Sequence, residues 1–305
     1  MSWSEDNLHR WMASRKRPAC LAGSRGHDAA VLRSPPGRPV VCVDQVIAGV
    51  HATLETPART LGRKAAARAL SDLAATAAQP HCLLLAIRAP SSASESDLRR
   101  LIEGVDWEGQ RVGAPLVGGD LACAPGAMSA AVTAQGYLGG RGKPPGRDRV
   151  RPGHVLLCTG PCGGTLLGRH LRITPRLDEG RWLYKHGATA LMDVSDGLAW
   201  DLFRLARASK VAIDLDSIPI HPDARRASRL SGRTALDHAL HDGEDHELLA
   251  AVPKSKLARL EAAAHRKGLP LHPIGVARAG TGLTWVQDGL RRQWQPEHGG
   301  WKHGS

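Results

Sequence analysis

The stretch MDVSDGL, residues 192–198, places two aspartates and a serine where an apolar strand gives way to a helix. The flanking periodicities predict a strand at 188–195 and a helix at 197–208. Ligands of α/β sheets bind beyond the carboxyl ends of strands. Asp193, Ser195 and Asp196 are therefore candidate site residues, although Ser195 and Asp196 are also residue types that cap a following helix.

The same alternation of strands and helices extends over the whole chain. The pattern predicts strands at 39–44, 81–89, 114–119, 128–138, 154–160, 211–216, 246–253 and 271–277, with helices at 58–78, 95–111 and 254–267 and a short one from 163. Ser94 and Asp97 match a helix-capping pattern. A segment rich in Gly, Pro and Arg at 139–153 breaks the alternation. The sequence predicts a mixed α/β fold with two domains, 1–150 and 151–305.

Composition narrows the class of protein. The 305 residues are 42% hydrophobic, and no apolar run approaches the roughly 18 residues of a membrane span. The first residues, MSWSEDNLHR, lack the apolar core of a secretory signal, so we expect a cytoplasmic protein. The six cysteines are scattered, which indicates free, buried thiols rather than a zinc site.

A net charge of +12 raises the question of nucleic-acid binding. The basic pairs lie far apart in the sequence, and one Phe with two Tyr offers little surface for stacking bases. Binding of small anions such as nucleotides explains the charge with fewer assumptions. The sequence predicts no nucleic-acid partner.

Several aspartates lie among small or apolar residues. They are Asp28, Asp44, Asp72 and Asp120 in the first half and Asp193 and Asp196 in the second, and Asp44, Asp120, Asp193 and Asp196 are predicted to lie at strand ends. Two carboxylates about 4 Å apart repel by about 4 kcal/mol at an effective dielectric near 20. Such a group predicts bound cations, and oxygen ligands of this kind suit Mg²⁺.

Two further segments invite a functional interpretation. TGPCGGTLLG, residues 159–168, lacks the lysine of a phosphate-binding loop, so a glycine turn that opens a helix is the preferred interpretation. Backbone N–H groups there remain able to hold an anion. HDGEDHELL, residues 241–249, carries Glu244, Asp245 and Glu247 just before an apolar strand, and the pattern alone favours a solvated loop.

Taken in order, these motifs resemble the thiamine-monophosphate kinases of the aminoimidazole ribonucleotide synthetase-like superfamily. The resemblance covers nearly the whole chain and rests on GHDAAVL, VDQVIAGVH, SDLAA, VGGD, RPG with TG, DVSDGLAWDL, GEDHELL and a terminal GGWKHG. It implies an N-terminal domain that dimerises through its sheet and a C-terminal α/β domain. It also implies ATP-dependent phosphorylation of thiamine monophosphate to thiamine diphosphate, assisted by several Mg²⁺ ions, in a homodimer.

The resemblance also assigns roles to individual residues. It implies metal ligands at Asp28, Asp44, Asp72, Asp120, Asp193 and Asp196; ATP contacts at Gly119, Asp120, Ser195 and Arg141 or Lys143; and substrate contacts at His51, Trp301 and one acid of GEDHE, for which Glu247 is favoured. Gly119 and Asp120 match a nucleotide-contacting turn.

The chain departs from the family pattern where side-chain oxygens are expected. His27, Cys42, Val43, Gln45, Leu121 and Ala122 stand at those positions. The departures leave open a non-catalytic relative that binds nucleotide or thiamine phosphate. A superfamily kinase with another acceptor is a further alternative, but the chain lacks the cysteines of the selenophosphate synthetases and of the hydrogenase-maturation members.

Overall fold

The computed structural model describes residues 3–23, 27–287 and 290–295, and its chain divides into two compact units. Unit 1 comprises Met1–Leu73, Ala78–Arg141 and Leu171–Ile173; unit 2 comprises Ala74–Ala77, Gly142–His170 and Thr174–Ser305. The main division falls between Arg141 and Gly142, whereas the sequence predicts the boundary after residue 150. Across the described residues, no helix has both the length and the apolarity that crossing a bilayer requires.

Unit 1 is built on a four-stranded sheet. Its elements are α1 (Glu5–Ser14), β1 (Arg38–Ile47), α2 (Ala58–Ala75), β2 (Gln79–Ala89), α3 (Glu95–Arg111), β3 (Leu116–Cys123) and β4 (Ser129–Leu138). The strand order is β1-β4-β2-β3, so β1 and β3 form opposite edges. Only β2 and β3 run parallel. The Ser94 hydroxyl caps α3 by accepting a hydrogen bond from Asp97 N at 3.0 Å, as the capping pattern predicts.

The two faces of this sheet differ in chemistry. The row containing Asp44 continues through Val132 and Leu85, which are buried. The neighbouring row runs from Gln45 to Asp120 and is mostly exposed. Successive strand residues point to opposite faces. The register therefore places Asp44 on the buried face and Asp120 on the open one.

Unit 2 contains a seven-stranded sheet of order β11-β10-β7-β9-β5-β8-β6. Its elements are β5 (His154–Cys158), α4 (Leu177–Lys185), β6 (Ala190–Asp193), α5 (Leu198–Ser209), β7 (Ala212–Leu215), α6 (Pro222–Ser231), α7 (Ala235–His241), β8 (Leu248–Pro253), α8 (Lys254–Lys267), β9 (His272–Arg278), β10 (Gly282–Gln287) and β11 (Leu290–Gln293). Strand β5 is buried at every position. Helix α5 packs its leucines into the core beside Trp294.

The predicted elements correspond well with the structure, and the mixed α/β class is confirmed. The short helix predicted from 163 is a single 3₁₀ turn, Thr165–Leu167. Four helices, α1, α4, α6 and α7, were not predicted, nor were β10 and β11. Helix α1 buries only Leu8, and α6 buries only Ala224 and Ala227. Such sparse apolar residues give little periodicity to detect.

Gly119 offers a test of the sheet. It lies inside β3 rather than in the expected turn, and a Cβ there would approach the Leu85 carbonyl oxygen to 1.9 Å. We expect Gly119→Ala to lower the free energy of unfolding by about 1–3 kcal/mol, because two paired strands must separate. Urea unfolding measures this. Gly118→Ala is the matched control, since its Cβ would meet only the flexible end of Leu84 at 3.3 Å. Equal stability of the two variants would contradict the register.

Candidate functional site

A side chain of helix α5 hydrogen-bonds to the backbone of the turn that follows β6. Asp201 Oδ2 accepts hydrogen bonds from Ser195 N at 2.9 Å and Asp196 N at 3.0 Å. Helix α5 has Gly197 at its N-cap position, with no side-chain cap. The interpretation of Ser195 and Asp196 as helix caps is therefore wrong. Instead, a buried aspartate one turn into the helix fixes the backbone that carries both residues.

The carboxylates of this turn have different partners. Asp193 is buried and lies 3.2 Å from His246 Nδ1. Asp196 is half-buried and forms an ion pair with Arg204, which also lies 3.4 Å from Asp201. Burial raises the pKa of Asp201 to about 8, although the hydrogen bond from the Asp196 backbone lowers it and the charges of Asp196 and Asp193 add to the rise. Asp193, Asp196 and Asp201 therefore lie close enough for their charges to interact.

The GEDHE segment, residues 243–247, is not the solvated loop that its charge favours. Asp245, His246 and Glu247 are all buried. The segment continues the β6–β8 pairing, because Glu244 N donates to Ser195 O at 2.7 Å and His246 N donates to Val194 O at 2.8 Å. Gly243, Glu244 and His246 all have positive φ. The prediction of a solvated loop is wrong because basic side chains elsewhere in unit 2 neutralise the acids.

Two arginines supply that neutralisation. Arg176 binds both oxygens of Glu247, at 2.9 and 2.5 Å, and the Thr159 hydroxyl donates to the same carboxylate at 2.6 Å. Arg169 donates to Asp245 Oδ1 at 2.8 Å. Burial raises the pKa of Asp245 to about 6, against the opposing effect of Arg169. Buried acids persist where paired in this way.

The glycine loop at 160–164 is occupied by the protein's own acids. Gly163 N donates to Asp245 Oδ1 at 2.9 Å, and Gly164 N donates to Asp242 Oδ2 at 2.7 Å. A Cβ at Gly163 would lie 2.6 Å from the Ala239 backbone, so the loop requires glycine there. The glycine-turn interpretation is consistent with this, and these two N–H groups already bind carboxylates.

Two thiols lie at this loop, Cys158 just before it and Cys162 within it. Cys158 and Cys162 are both buried, with their sulfurs 4.0 Å apart. All six cysteines are free, as predicted, but Cys123 is exposed and Cys20 and Cys42 are only half-buried. The expectation of buried thiols therefore holds for three of the six.

The acids of unit 1 do not come together as the sequence suggested. Asp44 and Asp120 lie within β1 and β3 rather than at strand ends, because β1 runs three residues and β3 four residues beyond the predicted ends. They occupy opposite edges of the sheet, three strand spacings or about 14 Å apart. Asp44 is held by Arg68 at 2.9 and 3.2 Å. Asp28 is exposed, and Asp72 is half-buried on α2, one turn from Arg68.

The remaining predicted site residues are placed as follows. His51 accepts a hydrogen bond from Ile47 N at 3.1 Å through Nδ1, and its carbonyl accepts one from Lys64. Arg141 and Lys143 are exposed. Glu247 is buried in its ion pair, while Glu244 is the one acid of GEDHE that is not fully buried. Trp301 lies outside the described residues.

Comparison with known proteins identifies the family. The model of the AIR synthase related protein N-terminal domain matches residues 26–138, and that of the C-terminal domain matches residues 126–286. The thiamine-monophosphate kinase of Rhodopirellula baltica is 34% identical over 88% of this chain and 87% of its own length. The chain belongs to the thiamine-monophosphate kinase family of AIR synthase related proteins. The resemblance stated from the motifs is confirmed.

Solved structures agree in fold. Thiamine-monophosphate kinase from Stenotrophomonas maltophilia aligns with a TM-score of 0.78 and 32% identity, over 95% of this chain and 99% of that one. AaThiL complexed with AMPPCP and TMP aligns with a TM-score of 0.77 and 25% identity, over 98% and 95% of the two chains. The two-domain architecture implied by the resemblance is therefore that of the family.

Sequence reasoning missed Asp201, Arg204, His246, Arg169 and Arg176. A signal existed for Asp201, because it interrupts the apolar stripe that Leu198, Leu202 and Leu205 form on α5. An acid inside such a stripe predicts a buried partner. Arg169 and Arg176 gave no signal in the sequence, since the acids that they bind lie more than 70 residues away.

The pKa of Asp201 predicts a pH-dependent stability. In the folded protein the carboxyl keeps its proton up to about pH 8, whereas the unfolded chain loses it near pH 4. The folded state therefore binds more protons between these values, and stability falls as pH rises, by up to about 1 kcal/mol per pH unit. Asp201→Asn removes this dependence and keeps an acceptor for the two N–H groups.

Urea unfolding in EDTA at several pH values between 5 and 8 measures the effect. Relative to wild type, Asp201→Asn should gain stability steadily with pH. Asp178→Asn is the control, because that carboxylate is largely exposed and its ion pair with Arg181 lies at the surface. A difference between Asp201→Asn and wild type that stays constant with pH would show that Asp201 is ionised throughout.

Proposed function

We propose that this protein catalyses the ATP-dependent phosphorylation of thiamine monophosphate to thiamine diphosphate. The observation that carries the proposal is the match, over most of the chain, to a relative named thiamine-monophosphate kinase. The alignment with AaThiL complexed with AMPPCP and TMP supports it, since AMPPCP is an analogue of ATP. The carboxylate-rich turn of unit 2 adds support from the residues themselves.

The acceptor determines what the protein must do. A phosphate monoester has a second pKa near 6, so its oxygen is largely ionised at neutral pH. No side chain is needed as a general base. The barrier lies in holding two polyanions in line, which is a problem of positioning and charge neutralisation. The direct in-line transfer that we propose follows from this.

The residues present fit Mg²⁺ in chemistry. All six implied ligands are aspartates, whose oxygens are what this ion prefers. No three His, Cys, Asp or Glu side chains of the described residues form a ready-made metal site. Mg²⁺ is usually held by one or two carboxylates together with substrate phosphates, so a preformed cage is not required. When bound, it would neutralise phosphate charge.

We assign the ligands as the resemblance implies. Asp193 and Asp196 would hold metal in unit 2, and Asp28, Asp44, Asp72 and Asp120 would do so in unit 1. Two of these carboxylates already attract positive charge, because Asp196 forms an ion pair with Arg204 and Asp44 forms one with Arg68. Either arginine must share its acid with the ion or release it.

The other assignments concern the two substrates. Ser195, Gly119 and Asp120, with Arg141 or Lys143, would contact ATP, and His51 and Trp301 would contact thiamine monophosphate. Glu247 remains the predicted acid of the GEDHE segment. Its carboxylate is bound by Arg176 and Thr159, so any contact with substrate must be made alongside them. Glu244, which is less buried, is the neighbouring candidate.

We further propose a cytoplasmic homodimer. Val41 and Val43 are 70% and 65% exposed on edge strand β1, and Leu84 is exposed on β2. A second copy that packs on this open face would cover them.

A second candidate is a relative that binds without turnover. Cys42 stands where the family pattern has an oxygen ligand, and its thiol points to the Ala69 carbonyl oxygen, 3.1 Å away on α2. Asp44, two residues on, is already paired with Arg68. Fewer oxygen ligands in unit 1 would weaken metal binding there without preventing nucleotide binding.

The two candidates give different results in one experiment. Purified protein with ATP, Mg²⁺ and thiamine monophosphate should yield thiamine diphosphate, and EDTA should abolish the product. Asp193→Asn and Asp72→Asn should each lower kcat by at least about tenfold, because each removes a negative charge from a metal position. Asp178→Asn is the control, because Asp178 is exposed and is not one of the predicted ligands.

Calorimetric binding of ATP or thiamine monophosphate without product, in protein whose fold is intact by circular dichroism, would favour the non-catalytic relative. Turnover of ATP with a different phosphate acceptor only would favour another superfamily kinase. If the folded protein shows neither binding nor turnover, both candidates are contradicted.

A further inference from the structure

His246 makes a contact that the sequence did not suggest. Its Nδ1 lies 3.2 Å from Asp193 Oδ2, and the two side chains are 1% and 4% exposed. The residues are 53 positions apart. The contact therefore joins the GEDHE segment to the end of β6, where the proposed metal ligand Asp193 lies.

The backbone determines where this imidazole points. His246 N donates to Val194 O, and Val194 N donates to Glu247 O, both at 2.8 Å. These two bonds enclose His246 in a conformation with φ of +52°, which is uncommon for a residue other than glycine. Such a conformation persists only where the surroundings determine it strongly.

The ring has one polar contact among the described residues. With the proton on Nδ1, the imidazole donates to Asp193, and Nε2 is buried without a hydrogen-bond partner. A leucine would fill similar volume without leaving a polar nitrogen unsatisfied, which is costly in a protein interior. The protein therefore leaves Nε2 buried without a hydrogen-bond partner, while Nδ1 forms its hydrogen bond with Asp193.

We propose that His246 is a positioning residue that orients the carboxylate of Asp193 for a divalent cation. This inference rests on the proposed function, since Asp193 matters as a ligand only there. Hydrogen-bonded partners of ligating carboxylates fix their orientation, and loss of such a partner typically weakens metal affinity 10- to 100-fold. His246 acts through Asp193 and contacts neither nucleotide nor metal itself.

Three substitutions separate positioning from packing. His246→Asn places an amide nitrogen near the position of Nδ1 and keeps the donor, and asparagine tolerates positive φ. His246→Gln carries its amide nearer to Nε2, where there is no partner. His246→Leu removes both polar nitrogens. Thermal unfolding in EDTA shows whether each variant folds, independently of any metal.

Electron paramagnetic resonance in the presence of AMPPCP measures the affinity of each variant for Mn²⁺. We expect His246→Gln and His246→Leu to raise the Kd for Mn²⁺ about tenfold or more, and His246→Asn to remain within about threefold of wild type. The Mg²⁺ concentration for half-maximal activity should shift in the same order. The KM for thiamine monophosphate should not.

Each other outcome has a definite meaning. If all three folded variants bind Mn²⁺ as wild type does, while Asp193→Asn does not, His246 only packs and the positioning role is overturned. If His246→Asn is as weak as His246→Gln at equal thermal stability, the hydrogen bond is not the cause and the inference is overturned. If Asp193→Asn leaves Mn²⁺ binding unchanged, the metal position itself is wrong, and both the assignment of Asp193 and the inference fail.

Discussion

The structure of unit 2 depends on the pairing of buried carboxylates. Asp193, Asp201, Asp245 and Glu247 are each less than a tenth exposed. A carboxyl group at such a position, whether ionised or, like that of Asp201 below about pH 8, protonated, is costly unless it makes hydrogen bonds or faces a positive charge. Each has such a partner in the described part of the chain: an imidazole, two backbone N–H groups, or an arginine. The acids therefore fix the positions of the segments that carry them.

That pairing joins two motifs that are far apart in the sequence. The turn at 193–197 and the segment at 243–247 share backbone hydrogen bonds, so a shift in one moves the other. The glycine loop joins the same network through Gly163 and Asp245. Unit 2 thus presents Asp193, Ser195 and Asp196 on a backbone that is held from several directions. Such support is what precise orientation of the proposed metal ligands, Asp193 and Asp196, requires.

The sequence predicted the local structure better than the long-range contacts. MDVSDGL was predicted as strand, turn and helix because its apolar periodicity is local, and β6 and α5 confirm it. HDGEDHELL was misjudged because three acids in five residues indicate solvent, and only the folded chain shows Arg169 and Arg176 against them. Asp44 and Asp120 were predicted at strand ends because β1 and β3 continue past the apolar runs, and their positions on opposite edges depend on a strand order that one sequence does not reveal.

The proposed function requires that the carboxylates of the β6 turn bind the metal that accompanies ATP. A crystal structure with AMPPCP and Mn²⁺, analysed by anomalous scattering, tests it most directly. We predict anomalous peaks within about 2.2 Å of oxygens of Asp193 and Asp196, with Arg204 displaced from Asp196. Nucleotide bound with its Mn²⁺ elsewhere, and Arg204 still paired with Asp196, would contradict it.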